Sequence, residues 1–239
     1  MTRDLTHGIR SAPRRKAAAG PASEAGQAGD AATVAAVLAR LADRDPDPKA
    51  GFDRTDPFRL LVTVLLSAQS TGPTVSRVAE ALFAEVRDPA GMVALGEARI
   101  VEIIRPVGLG PSKARNIVKL SAALVADYGG GVPRSAAEMR RLPGIGRKSA
   151  EVTANFAFHE PVIAVDTHVF RVSNRIPLAP GPTVDAVADG LARSVPEGFK
   201  DNAHVWLFRH GRDICTARKP ACPRCPVSDL CAWSGRSTA

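Results

Sequence analysis

The sequence predicts an all-α protein, and three observations support that fold class. Apolar residues recur at helical spacing along most of the chain, and capping residues and prolines mark where those segments begin. The one strand-like run, Val162–Val165, is too short to found a sheet. With 239 residues, of which 45% are hydrophobic, the chain can hold one large domain or two small ones.

The first segment, residues 1–29, is rich in Ala, Gly, Pro and Arg and has few large apolar residues. Such a segment cannot bury enough surface to offset its ordering entropy, so we expect a disordered tail. It lacks an apolar signal core, although an organelle-targeting peptide stays open. No stretch approaches the roughly 18 apolar residues of a membrane span. We therefore expect a cytoplasmic protein with no membrane partner.

Helical patterns follow in order along the next hundred residues. Val34, Val37, Leu38 and Leu41 fall on one helical face. Asp56-Pro57 provides a cap and a first-turn proline before a very apolar helix that we expect to be buried on most sides. Apolar residues mark three further helices around residues 75–83, 100–104 (ended by Pro106) and 117–125 (stopped by Gly129, Gly130 and Gly131).

The remaining helices are predicted from caps and periodicity. Ser135 and Glu138 have the spacing of a capping box and indicate a short helix. Further helices are expected at about 147–158, 167–175, 184–194 and 200–213. The total is roughly ten helices with short loops.

Two glycine turns repeat one pattern. The first glycine turn (residues 108–110) and the second glycine turn (residues 144–146) each place an apolar residue between two glycines before a helix that carries a lysine. Glycine lets the backbone approach another molecule closely, and the N–H groups at a helix start can bind a phosphate. An ordinary tight turn is the alternative. The net charge of +8, the pI near 9.9 and the adjacent Arg147 favour DNA, although a basic protein without such a partner stays open.

Two side chains near the second glycine turn could carry chemistry. Lys148 lies in the first turn of the following helix, where the positive helix end and Arg147 would favour a neutral, nucleophilic amine. A solvated surface charge is the simpler interpretation of a lysine. Asp166 follows the apolar run 162–165 at a helix start, and the motif alone favours an N-cap.

The only cysteines of the chain lie within 17 residues, with the spacing C-x6-C-x2-C-x5-C. Disulfides are rare in the cytosol, so this clustering indicates a metal centre. The spacing alone slightly favours zinc over an iron–sulfur cluster. The four thiols belong to Cys215, Cys222, Cys225 and Cys231.

Together, Leu142–Lys148, Ile163–His168 and the four-cysteine loop resemble endonuclease III, a family of helix-hairpin-helix DNA glycosylases. The likeness runs from about residue 31 to the last cysteine. It implies two all-α domains with a DNA cleft between them. Residues 50–160 would form a six-helix domain with the hairpin, and residues 30–49 with 161–239 a domain holding a [4Fe–4S] cluster on the four cysteines.

The resemblance also implies an activity, base excision repair of oxidised pyrimidines in duplex DNA. Lys148 would attack the sugar of a flipped nucleotide, form a Schiff base and then cleave the strand by β-elimination as an AP lyase. Asp166 would be the catalytic carboxylate. The expected partner is double-stranded DNA with a damaged pyrimidine or an abasic site, bound by a nucleoid-associated monomer.

Further residues would contact DNA by the same likeness. Gln69 and Leu109 would enter the space left by the flipped nucleotide; the alternatives are a helix-end hydrogen bond for Gln69 and core packing for Leu109. The phosphate-binding residues would be Gly144, Gly146 and Arg147 in the hairpin and Arg218 and Lys219 in the cysteine loop, where solvated loop charges are the alternative.

One departure and two alternatives bear on this hypothesis. Glu151 stands where relatives frequently have Asn, and by its charge it would oppose an approaching phosphate. A mismatch-specific glycosylase of the same superfamily is one alternative, but such relatives typically lack the lysine. A non-catalytic DNA-binding module is the other, and it would have no need of Lys148 or Asp166.

Overall fold

The computed structural model describes residues 29–236, so the expected tail lies outside the described residues except for Gly29. The described residues form ten α-helices and two short 3₁₀ turns, with no strand among them, and the all-α prediction is confirmed. The helices are α1 (Ala31–Arg44), α2 (Pro57–Ser67), α3 (Gly72–Glu85), α4 (Pro89–Ile104), α5 (Gly110–Tyr128), α6 (Ala136–Met139), α7 (Arg147–Phe158), α8 (Thr167–Arg175), α9 (Val184–Ser194) and α10 (Glu197–Asp213).

The described residues divide into two compact units. One unit, Gly51–Glu160, contains α2 to α7. The other combines the segment that ends at Ala50 with the segment that begins at Pro161, and it contains α1 and α8 to α10. We call them the hairpin unit and the cysteine unit. None of the helices within residues 29–236 is long and apolar enough to cross a membrane.

Helix α2 is the core of the hairpin unit. Asp56 caps it through a bond from the Arg59 amide to Oδ1 (2.9 Å), and Pro57 occupies the first turn. Nine of its eleven residues are buried, which confirms the expected burial on most sides. Helices α3, α5 and α7 all pack against α2. Because α5 and α7 each follow a glycine turn, this central helix fixes where both turns lie.

In the cysteine unit, α10 contacts both α1 and α8. The apolar run Ile163–Val165 is buried, and the His204 ring bonds to the Ala164 carbonyl at 2.8 Å. Trp206 is also buried and donates its indole N–H to the Asp45 carbonyl at 2.8 Å. The His204 bond therefore holds the segment that leads into α8, and the Trp206 bond holds the C-terminal end of α1.

Two helices differ in extent from the sequence prediction. Helix α4 begins at Pro89, well before the predicted 100–104 segment, because Gly96 (φ 77°) joins two helical stretches across a kink. Helix α10 begins at Glu197, three residues before the predicted 200, directly after Pro196. The predicted short helix at Ser135 is present as α6, with Ser135 Oγ accepting the Glu138 amide proton.

Candidate functional site

The second glycine turn is anchored in the core of the hairpin unit. Ile145 is 6% exposed, and its N–H donates to the Leu142 carbonyl at 3.2 Å. Gly144 has φ 78°, and a Cβ there would lie 2.8 Å from the Asn116 side chain on α5. A residue with a side chain would therefore meet both backbone strain and a steric clash at this position.

The outer side of the same turn is open. Gly146 is the N-cap of α7 and provides no side-chain cap, and a Cβ added there would meet no atom within 4 Å. Helix starts attract anions through their N–H groups and dipole. The turn thus presents a helix N-terminus with room for a phosphate, and half-buried Arg147 and Lys148 lie in its first turn.

Glu151 does not face that helix start as an isolated charge. Its carboxylate is largely buried and accepts a hydrogen bond from Arg147 Nε at 2.8 Å, one helical turn away. The two charges offset each other locally. The expectation that Glu151 opposes a phosphate by its charge alone therefore neglects Arg147.

Gln69 and Leu109 lie on neighbouring loops of the hairpin unit, and both have left-handed backbone (φ 55° and 62°). A Cβ on Gly108 would lie 3.1 Å from the Gln69 carbonyl oxygen, so the two loops are closely packed. The Leu109 side chain is 57% exposed. The core-packing alternative for Leu109 is thus wrong.

Lys113, which sequence reasoning missed, connects these loops. Its ammonium donates to the Leu66 carbonyl (2.7 Å), the Ala68 carbonyl (2.5 Å) and Ser70 Oγ (3.0 Å). Burial lowers the pKa of Lys113 to about 8. The sequence did contain one indication of its importance. Lys113 is the third residue after the first glycine turn, and Lys148 is the second residue after the second glycine turn.

Asp166 caps α8 in the cysteine unit. Its Oδ1 accepts the backbone N–H groups of His168 and Val169, each at 2.9 Å. The N-cap interpretation from the motif is confirmed. These bonds hold the carboxylate at a fixed place at the end of the buried run Ile163–Val165.

The four cysteines line a single cavity of about 270 Å³ within the cysteine unit. Cys215 follows α10. Cys222 begins the first 3₁₀ turn and Cys225 follows that turn. Cys231 follows the second 3₁₀ turn. Burial raises the pKa of the Cys225 and Cys231 thiols, so these groups become ligands only if a metal centre stabilises the thiolates.

The donor set fits a multinuclear group. A single zinc ion needs thiolates about 3.8 Å apart around a tetrahedron. Within residues 29–236, no three or more Cys, His, Asp or Glu side chains converge closely enough for one ion. Four thiols around one cavity match the thiolate-only ligation of iron–sulfur clusters.

Arg175 fixes the loop between the first two cysteines. Its guanidinium donates to the Thr216 (2.7 Å) and Ala217 (2.9 Å) carbonyls and lies 3.9 Å from the Trp233 ring centroid. Thr216 Oγ1 donates to the Lys219 carbonyl at 2.7 Å. Arg218 and Lys219 are exposed on this loop, and these bonds hold its backbone on either side of Arg218.

An all-α fold, an open helix start at a glycine hairpin and a four-thiol cavity together define a helix-hairpin-helix protein with a thiolate-ligated metal centre. Two sequence profiles agree. Residues 62–197 match the HhH-GPD superfamily of base excision DNA repair proteins, and residues 215–231 match the iron–sulfur binding domain of endonuclease III.

Curated relatives and solved structures point the same way. Endonuclease III of Escherichia coli (strain K12) is 44% identical over 196 residues, which cover 82% of this chain and 93% of that protein. Endonuclease III of Treponema pallidum (strain Nichols) is 44% identical over 187 residues, 78% of this chain and 89% of that protein. A non-covalent endonuclease III–DNA complex superposes with a TM-score of 0.78 at 38% identity, covering 85% of this chain and 96% of that one.

This chain belongs to the endonuclease III family. It is a base excision repair DNA glycosylase that binds DNA and carries a [4Fe–4S] cluster. The zinc alternative from cysteine spacing is accordingly wrong. A thermostable thymine-DNA glycosylase superposes with a TM-score of 0.77 at 23% identity over 84% of this chain and 96% of that one, and it shows the shared fold alone.

Proposed function

We propose that the enzyme is bifunctional, excising oxidised pyrimidines from duplex DNA and then cleaving the strand as an AP lyase. The observation that carries this proposal is the position of Lys148 in the first turn of α7, directly after the open second glycine turn. A phosphate bound at that helix start would bring the adjoining deoxyribose near a primary amine. One solved relative, a trapped endonuclease III–DNA covalent intermediate, supports covalent chemistry in this family.

The proposed chemistry uses the amine twice. The neutral Lys148 nitrogen forms a bond to C1′ of a flipped nucleotide while the bond from C1′ to the base breaks, and the base leaves with the electron pair and takes up a proton. Opening of the sugar gives a protonated Schiff base. This iminium makes the C2′ proton acidic, so its removal expels the 3′ phosphate by β-elimination, and water finally releases Lys148.

Asp166 supplies the carboxylate in this proposal. The departing base leaves positive charge on the sugar, and an ionised carboxylate near that charge lowers the barrier. Its Oδ1 is fixed by two amide bonds at the start of α8, so the group is preorganised before substrate binds. It could also take part in proton transfer.

Duplex recognition divides among three groups of residues. Gln69 and Leu109, which we call the wedge, would fill the space of the flipped nucleotide, in keeping with the exposure of both residues. Phosphates would be held by Gly144, Gly146 and Arg147 at the hairpin and by Arg218 and Lys219 on the cysteine loop. We propose that the protein acts as a monomer.

The cluster ligands are Cys215, Cys222, Cys225 and Cys231 in this proposal, because these four thiols line one cavity. When bound, the cluster supplies a fixed, multiply ligated anchor that orders the segment in which the cysteines stand. Ordering of that segment fixes Arg218 and Lys219 and therefore strengthens phosphate binding.

Borohydride trapping tests the nucleophile. Wild type, incubated with a duplex carrying one thymine glycol, is expected to give a covalent adduct that Lys148→Ala does not give. Lys119→Ala, which removes an exposed lysine from α5 of the same unit, is the control and should trap normally. Efficient trapping by Lys148→Ala would refute the assignment. A duplex with a G·T mismatch tests the mismatch-specific alternative, and cleavage there in preference to thymine glycol would favour it.

The ligand set is tested by Cys222→Ala. The variant is expected to lose its visible iron–sulfur absorbance and bound iron, and to bind duplex DNA more weakly. Ser234→Ala, an exposed change three residues after Cys231, is the control. Unchanged absorbance and iron content in Cys222→Ala would show that Cys222 is not a ligand.

A further inference from the structure

We propose that Lys113 is a positioning residue that locks the two tips of the wedge, Gln69 and Leu109, into one rigid element. The inference rests on the proposed function of the wedge. Lys113 itself would touch neither DNA nor the reacting sugar. Its side chain is 5% exposed, and its ammonium faces inward to three protein oxygens.

The hydrogen bonds of Lys113 span the loop that carries Gln69. An ammonium has three N–H donors and no acceptor, and here the three acceptors come from Leu66, Ala68 and Ser70. These residues stand on both sides of Gln69. One cation therefore satisfies two carbonyls at the C-terminal end of α2 and fixes the turn that follows.

The same residue is tied to the other tip. Lys113 lies in the first turn of α5, and its backbone N–H donates to the Leu109 carbonyl at 3.0 Å. Leu109 is the N-cap of that helix, and Gly108 lies against the Gln69 carbonyl. A Cβ on Gly108 would lie only 3.1 Å from that oxygen, so glycine permits the close approach.

The backbone at both tips needs such support. Gln69 and Leu109 have φ of 55° and 62°, a region that residues with a side chain rarely adopt. Conformations of this kind persist only where the surroundings over-determine them. Without the Lys113 side chain, the Leu66 and Ala68 carbonyls and the Ser70 hydroxyl lose a charged donor, and the Gln69 loop can relax. Leu109 can then move with it, because Gly108 packs against the Gln69 carbonyl.

A rigid wedge and a flexible wedge differ in a measurable way. Filling the gap of a flipped nucleotide requires ordered side chains, and ordering them on binding costs conformational entropy. A flexible wedge would weaken binding to DNA with a flipped or missing base but leave binding to intact duplex unchanged. It would also leave the covalent step intact at saturating DNA.

The test uses Lys113→Met in the full-length, cluster-loaded protein. The probes are an intact duplex and a duplex with a tetrahydrofuran abasic analogue beside 2-aminopurine, whose fluorescence reports unstacking. Affinity for the abasic duplex should fall about tenfold, with a smaller fluorescence change and unchanged affinity for the intact duplex. Covalent trapping on a natural abasic site at saturating duplex should stay within about twofold of wild type.

A double-mutant cycle with Leu109→Ala separates positioning from general destabilisation. If Lys113 acts through the wedge, Lys113→Met should cost little further affinity in the Leu109→Ala background. Lys49→Met is the control, because Lys49 is also a buried lysine with a fixed partner, the carboxylate of Asp201, but it belongs to the cysteine unit. It should not change the 2-aminopurine signal.

Should Lys113→Met not fold, Ser70→Ala removes one of the three acceptors. It should produce a smaller loss of abasic-duplex affinity in the same direction. Additive losses in the Leu109→Ala cycle, or equal losses on intact and abasic duplex, would overturn the positioning role. Failure of wild type to trap any abasic duplex would instead refute the proposed function, so the two failures are distinguishable.

Discussion

The two glycine turns share a sequence pattern but place their central apolar residue in opposite environments. Ile145 of the second turn is 6% exposed, whereas Leu109 of the first turn is 57% exposed. The backbone differs correspondingly. In the second turn the left-handed residue is Gly144, and in the first turn it is Leu109 itself. The second turn thus buries its central side chain, whereas the first turn presents its central side chain to solvent.

The lysines that follow the two turns also differ in their environments. Lys113 is buried and bonded to three oxygens within the hairpin unit, whereas Lys148 is half-buried in the first turn of α7. The comparison teaches that a short turn before a helix can serve two purposes. The second turn suits the binding of a phosphate next to a reacting amine. The first turn suits an exposed apolar side chain, Leu109, whose loop is stabilised from inside by Lys113.

The sharpest test of this contrast, and the largest expected effect, is the parallel replacement of both lysines by methionine. Lys148→Met should lower single-turnover cleavage of an abasic duplex by about 10³-fold or more, because no nucleophile remains. Lys113→Met should change the same rate at saturating duplex by about twofold at most. Quenched time courses resolved on denaturing gels measure both. A comparable loss in the two variants would break the distinction.

The helices of this protein were largely predictable because their signals are local. The apolar face at Val34–Leu41 and the glycines after Tyr128 predicted the correct helices. The Gly96 kink was not predictable, since a glycine within an apolar pattern does not show whether the helix continues across it.

The site was predictable only in part, for a physical reason. Four cysteines within 17 residues indicate a set of metal ligands, but their spacing does not distinguish a zinc site from an iron–sulfur cluster. The exposure of Leu109 and the burial of Lys113 depend on how α5 packs against the end of α2, and Lys113 and its partner Leu66 are 47 residues apart in the sequence. Because the two glycine turns share one sequence pattern, the local sequence does not show which turn buries its central side chain.

The second prediction compares the two central apolar residues. Ile145→Ala should lower the free energy of unfolding by about 2–4 kcal/mol, because a buried side chain leaves a cavity. Leu109→Ala should change it by about 0.5 kcal/mol or less, since the side chain is mostly exposed, yet weaken binding to the abasic duplex. Urea unfolding and fluorescence titration provide the two measurements. Equal destabilisation by both changes would mean that Leu109 is a core residue.

The third prediction concerns the two glycines of the second turn. Gly144→Ala should destabilise the protein by about 1–3 kcal/mol, because φ 78° strains the new residue and its Cβ meets Asn116. Gly146→Ala has open space and ordinary backbone (φ −86°), so stability should stay within about 0.5 kcal/mol. Its methyl group would instead obstruct a phosphate at the helix start.

Thermal unfolding and salt-dependent DNA binding separate these effects. Gly146→Ala should weaken binding to intact and abasic duplex alike, because a phosphate contact carries no information about the base. Undiminished affinity in Gly146→Ala, at several salt concentrations, would show that the second turn does not hold a phosphate.

The last prediction is a pH dependence of stability that belongs to Lys113. Burial lowers its pKa to about 8 in the folded protein, below the 10.5 of an ordinary lysine. Between these two values the unfolded chain binds more protons than the folded one, so the contribution of this group to stability increases as pH rises from about 8 to 10.5. Urea unfolding across this range should show the increase in the difference between wild type and Lys113→Met. A difference that is flat, or that falls with pH, would mean that the three oxygens around the ammonium outweigh its burial and keep the charged form favoured.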